Sequence, residues 1–170
     1  MRFKFLSLLA AALLLAACET TPQQTSATSG DGGAGARAGS GVGSSQIGRA
    51  RPGSQEDLVA QVGDRVFFDF DKFDLKPEAR AIVDKQAAWL KANPRVTVTI
   101  EGHADERGTR EYNLALGERR ANAVRSYLLA LGIEANRIST VSYGKERPEV
   151  LGSNEWAWSQ NRRGVMAVNG

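Results

Sequence analysis

Gly102-His-Ala-Asp-Glu-Arg-Gly-Thr-Arg-Glu-Tyr-Asn-Leu-Ala-Leu-Gly-Glu-Arg-Arg-Ala121 is the stretch on which the fold turns. It joins two segments of different period. Before it, Val96, Val98 and Ile100 alternate with Thr97, Thr99 and Glu101, the pattern of a strand with one buried face. Within it, Gly102 to Gly108 is a polar loop, and Gly108 permits a tight turn. Thr109 is placed to cap a helix, with Glu111 in its first turn. Ala121, Val124, Leu128 and Leu131 then recur at helical spacing, and Gly132 stands where a C-terminal cap belongs.

The flanking segments show comparable patterns on both sides. Arg65 to Phe70 is aromatic and β-branched, a strand signal. Pro77 and Glu78 open a helix whose apolar face is Ile82, Val83, Gln86, Ala87 and Leu90, and Asn93-Pro94 stops it. Ile138 to Tyr143 reads as a third strand, Glu155 to Asn161 as a short helix, and Val165 to Val168 as a last strand. Gly164 and Ala167 make that last strand weakly β-prone and unsettle the edge of the sheet. The order β-α-β-α-β-(α)-β predicts helices on one side of a mixed sheet, with right-handed crossovers between parallel strands.

Residues 19–61 are a different material. They are rich in Gly, Ser, Thr, Ala and Gln, and nine of the 18 glycines lie between Gly30 and Gly53. Such a composition buries too little apolar surface to offset its ordering entropy. The expectation is a flexible linker over 18–61, roughly 36 Å long as a coil, ahead of a folded domain over 62–170. At the front, Arg2 and Lys4 precede an apolar run from Phe5 to Ala17 that is too short to span a ~30 Å hydrocarbon core. Residues 1–17 therefore have the shape of a secretory signal. Leu15-Ala16-Ala17-Cys18 resembles the lipobox of bacterial lipoproteins, in which the cysteine is acylated and becomes the first residue after cleavage. Several acyl chains on one residue suffice for stable anchoring. Glu19 stands at the position that influences sorting between membranes, and the expectation is the outer membrane, with the domain facing the periplasm.

Composition excludes several classes. The 22 basic and 19 acidic residues give +3, and without Arg2 and Lys4 the balance is +1. There is no dense Lys/Arg run, so nucleic acid is not an expected partner. One cysteine and one histidine leave no disulfide framework and no zinc or iron–sulfur cluster. His103 has no Ser/His/Asp arrangement around it and reads as structural. Glu101, Asp105 and Glu106 lie among arginines and read as solvated charge rather than as a hydrolase pair. The expectation is a protein without catalysis or cofactor.

Two residues in the opening stretch carry chemistry. Asp105 lies in a loop just past a strand end, where functional groups are displayed. Arg120 is in phase with the buried stripe and must be held by a partner, because an unpaired buried charge is costly. They are either a structural ion pair or the two halves of a receptor for a zwitterion, with carboxylate to ammonium and guanidinium to carboxylate. Asn113 adds a donor and an acceptor nearby.

Phe68-Asp-Phe-Asp71 with Asp74-Leu75, the stretch Gly102 to Val124, Val141-Ser-Tyr-Gly-Lys-Glu-Arg-Pro148 and Gln160-Asn-Arg-Arg163 together resemble the OmpA-like domain family over about residues 62–170. The resemblance implies an α/β two-layer sandwich that binds peptidoglycan non-covalently, at the diaminopimelate of the stem peptide. It places ligand contacts on Asp105 and Arg120, further contacts on Asp71 and Asn113, and apolar lining on Phe70 and Leu116. It also implies a lipid-anchored member of the Tol envelope system, with TolB as a partner whose surface overlaps the groove. Arg110 stands where relatives often carry proline, which predicts a looser turn.

Overall fold

The structure, a computed structural model, describes residues 50–170. The N-terminal apolar run, Cys18 and most of the glycine-rich segment lie outside the described residues. The described chain folds as α1 (Gln55–Gln61), β1 (Arg65–Phe67), α2 (Pro77–Ala92), β2 (Val98–His103), α3 (Arg110–Ala130), β3 (Ile138–Gly144), α4 (Glu155–Asn161) and β4 (Arg163–Val168), with a short 3₁₀ turn at Ala135–Arg137.

The sheet order is β1-β4-β2-β3. β2 and β3 are parallel, while β4 runs antiparallel to both β1 and β2. β4 is therefore an interior strand, not the edge that its glycine and alanine suggested. Its small residue sits there among packed neighbours. Gly164 pairs with both Val66 and Gly102. A Cβ on it would already touch Phe68, Val66 and Val124 at 3.5 Å. One face of the sheet is closed by α2 and α3, which pack on the strands and on each other. Val66, Val98, Ile100 and Met166 point there and meet Val83, Leu90, Ala121, Val124 and Leu128, all buried.

The caps follow the sequence signals. Thr109 accepts the backbone N–H of Tyr112 at 3.2 Å, and Gly132 takes the left-handed conformation (φ +86°) just beyond α3. The arginine at position 110 does not loosen the start. Gly108 adopts φ +93°, and Arg110 pairs with Glu146 at 3.3 Å. The C-terminal carbonyls of α2 are satisfied from outside, since Arg137 donates to Leu90 and Asn93 at 2.9 Å each.

Two expectations need correction. The first strand ends at Phe67, not Phe70: its pairing with β4 runs out one residue on, where the Phe68 N–H donates at 2.9 Å to the carbonyl of Arg162, the residue that ends α4. The folded body also begins earlier than Val62. Residues 55–61, which composition assigns to the linker, form α1, and its Leu58 is wholly buried in the core. Ser54 caps it, Gln55 bridges Met166 O (3.1 Å) and Val168 N (2.7 Å), and buried Asp57 accepts Trp89 Nε1–H at 3.0 Å. Seven residues whose two large apolar side chains, Leu58 and Val59, are adjacent show no helical stripe, so the signal was absent from periodicity and lay in polar contacts with distant residues.

The closest approach in the fold sets the site. A Cβ on Gly102 would lie 1.8 Å from the Gly117 carbonyl oxygen, and one on Gly117 would lie 2.3 Å from Ser142 Oγ. Two glycines thus let the first half of α3 lie directly on the C-terminal ends of β2 and β3. Leu58→Ala is expected to cost about 2–5 kcal/mol in urea denaturation. A change under 0.5 kcal/mol would show that α1 is an appendage.

Candidate functional site

Because α3 lies so close to the strand ends, its inner face meets two loops there. The loop after β1 turns at Asp71, whose φ of +56° is unusual for a residue other than glycine. The β2–α3 loop carries Asp105, Arg107 and Gly108. These two loops and one face of α3 line a single cleft of about 220 Å³ formed by Phe70, Asp71, Asp105, Arg107, Gly108, Tyr112, Asn113, Leu116 and Arg120. All six residues expected to form a groove are brought together. The cleft is smaller than the ~300–1,000 Å³ of a drug-sized site and suits the end of one side chain.

Arg120 forms the floor and is fully buried. It does not pair with Asp105. Its Nε donates to Lys72 O (2.9 Å), Nη1 to His103 O (2.7 Å) and Nη2 to Asp69 O (3.1 Å). The structural ion pair weighed from sequence is therefore replaced by a cation solvated by three backbone carbonyls. Burial pushes its pKa down to about 10, so it stays charged at neutral pH. Three of its five N–H groups are used, which leaves one on each terminal nitrogen.

Asp105 is held instead by Arg107 and Arg162. Its Oδ2 accepts from Arg107 Nη2 at 2.6 Å and from Arg162 Nη1 at 3.4 Å. Burial alone would raise its pKa, but the bonds from Arg107, helped by Arg162, outweigh it and keep the carboxyl below the usual range. Arg162 is itself pinned, donating to Phe68 O at 3.1 Å and to Glu155 at 2.7 Å. Arg107 lies 4.0 Å from the ring centroids of both Phe70 and Trp158. Asn113 donates to Arg107 O at 2.8 Å, and the Tyr112 hydroxyl donates to Asp71.

Sequence reasoning missed Arg107, Tyr112 and Arg162 as members of this cluster. Arg107 and Tyr112 are two residues from Asp105 and one from Asn113, so proximity could have raised them. Arg162 comes from the far end of α4, and only the closed fold brings it to Asp105. The three tryptophans differ in exposure. Trp89 is buried, Trp158 is half-buried with its Nε1–H on Glu106 at 2.9 Å, and Trp156 is exposed.

The two-layer α+β architecture, with a charged cleft where α3 meets the strand ends, is that of an OmpA-like domain. The OmpA family model matches residues 67–162, and the chain belongs to that family. Its relatives within the family are specific. It is 54% identical over 123 residues, 72% of this chain and 70% of the other, to the peptidoglycan-associated lipoprotein of Rhizobium meliloti. It is 55% identical over 102 residues, 60% of this chain and 68% of the other, to the peptidoglycan-associated lipoprotein of Pasteurella multocida. Among solved structures, the peptidoglycan-associated lipoprotein from Burkholderia pseudomallei superposes with a TM-score of 0.62 at 42% identity, covering 66% of this chain and 93% of that one. The C-terminal domain of Helicobacter pylori MotB shares the fold alone, at 20% identity, a TM-score of 0.59 and coverage of 63% of this chain and 86% of that one.

His103 closes β2 beneath this region, buried, with no hydrogen bond to either ring nitrogen. Burial, and secondarily the charge of Arg163, lowers its pKa from the ordinary 6.5 to about 4. A base with a depressed folded pKa binds its proton preferentially when unfolded. Its contribution is complete above pH 6.5 and is lost as pH falls toward 4. Stability from urea titrations is expected to drop by a few kcal/mol over that window, and His103→Phe should flatten the drop. An equal drop in both proteins would place the titration elsewhere.

Proposed function

We propose that this chain is an outer-membrane lipoprotein that binds peptidoglycan non-covalently through the cleft above Arg120. In this reading the ligand is the diaminopimelate of the stem peptide, whose side chain ends in an ammonium and a carboxylate. Asp105 takes the ammonium. The two remaining N–H groups of Arg120 face the carboxylate, with Asn113 and Asp71 at the sides. Phe70 and Leu116 cover the aliphatic stem. The observation that carries the reading is the convergence of these six residues, from two loops and one helix face, on one side-chain-sized cleft. The names of the most similar relatives support the wall as the partner.

The chemistry favours binding over turnover. A glycosidase needs a carboxylic acid that is protonated near neutral pH, and Asp105 is held ionised. In the same reading Cys18 carries the lipid, residues 19–54 form the tether, and the protein serves envelope integrity and division in the Tol–Pal system. TolB docks over the groove and competes with the wall, so adding purified TolB should release wall-bound protein.

The decisive experiment is co-sedimentation of residues 19–170 with purified peptidoglycan. Wild type should pellet. Asp105→Ala, folded by circular dichroism, should bind at least tenfold more weakly, in keeping with loss of a charge-assisted pair worth roughly 1.5–3 kcal/mol. If both pellet alike, the cleft is not the wall site. Arg120→Ala is unsuitable as a probe of contact, because it also abandons three buried carbonyls.

A further inference from the structure

The carboxylate expected to receive an ammonium is already full. Asp105 Oδ1 accepts the Arg107 backbone N–H and its Nε–H, both at 3.1 Å, and Oδ2 accepts Nη2 at 2.6 Å. Only 5% of the Asp105 side chain is exposed. An incoming cation meets a cation of the protein in its place.

The three guanidiniums around the cleft differ in how firmly they are held. Arg120 has three carbonyl acceptors and no exposure. Arg162 is 7% exposed in its side chain and ties together Phe68, Asp105 and Glu155. Arg107 is 30% exposed in its side chain. Beyond Asp105 it has only a 3.9 Å approach to Glu155 and the faces of two rings. It is the one of the three that can leave without stranding buried backbone groups.

We propose that Arg107 is a specificity-determining latch that opens by ion-pair exchange. The ligand's ammonium displaces Arg107 from Asp105. Arg107 leaves the slot between Phe70 and Trp158 and closes on the ligand's carboxylate, opposite the floor N–H groups of Arg120. Asp105 and Arg107 both keep a close partner only if the ligand brings both signs on one carbon. A ligand with an ammonium alone displaces Arg107 and leaves it only the distant, exposed carboxylate of Glu155, which already pairs with Arg162. One with a carboxylate alone cannot free Arg107 without leaving Asp105 ionised between arginines it no longer fully engages. The latch thus selects a zwitterion over a plain amine, through a residue that in the free protein only neutralises the site.

This inference rests on the wall-binding reading and is tested with two muropeptides, disaccharide tripeptides that carry either diaminopimelate or lysine at the third position. Lysine keeps the ammonium and lacks the distal carboxylate. By calorimetry, residues 19–170 should prefer the diaminopimelate form by at least tenfold. In Arg107→Gln the lysine form should gain affinity, and the preference should fall to within about threefold. In the wild type, the Arg107 side-chain proton resonances, shielded between the two rings, should move downfield on saturation with the diaminopimelate form. A folded Arg107→Gln with an unchanged preference, or Arg107 resonances that stay shielded in the complex, overturns the latch and leaves wall binding standing. A wild type that binds neither muropeptide overturns the wall-binding reading and the latch with it.

Discussion

One buried cation organises this domain. The Arg120 guanidinium, inside the core stripe of α3, is solvated by the carbonyls of Asp69, Lys72 and His103. Two of these belong to the loop after β1 and one to the last residue of β2. Helix, strand and loop are therefore joined at a single planar fork, whose fixed geometry a lysine could not reproduce. Desolvating a charge is expensive, and the fork recovers the cost only when all three acceptors are in place. The loop geometry, including the unusual turn at Asp71, follows from that requirement.

This division of labour changes how the basic residues of the site are read. From sequence, Arg120 and Asp105 look like two ends of one device. In the structure they belong to different layers. Arg120 sets the floor, Arg162 anchors Asp105 from the side, and Arg107 covers it from above. The glycine pair at 102 and 117 completes the arrangement, because a larger residue at either position would lift α3 off the strand ends and open the floor.

Much of this was legible in the chain. The alternation from Val96 to Glu101, the Thr109 cap, the stripe through Leu128 and Gly132 located β2 and α3 closely, because each is a local signal with its own physical cause. The six cleft residues were named from a motif, and the fold brings them together. What was not legible depends on long-range closure. Gln55 recognises Met166 and Val168 across more than a hundred residues, so α1 cannot be seen in a window of seven. The interior place of β4 is likewise a matter of topology, since a glycine reads as a weakness until the helix that packs over it is known. The pairing of Asp105 with Arg107 and Arg162 rather than Arg120 is set by side-chain direction, which spacing along a helix does not fix.

The position of α1 also determines where tension enters the domain. The chain arrives from its N-terminal side at Ser54 and is fastened at once to the end of β4, which has hydrogen-bonded neighbours on both sides. A pull on that end is passed to an interior strand of the sheet, at residues laddered to β2. It does not begin by peeling an outermost strand, the way in which a sheet yields most easily. A handle of seven residues thereby gives the domain a mechanical grip on whatever pulls from its N-terminal side.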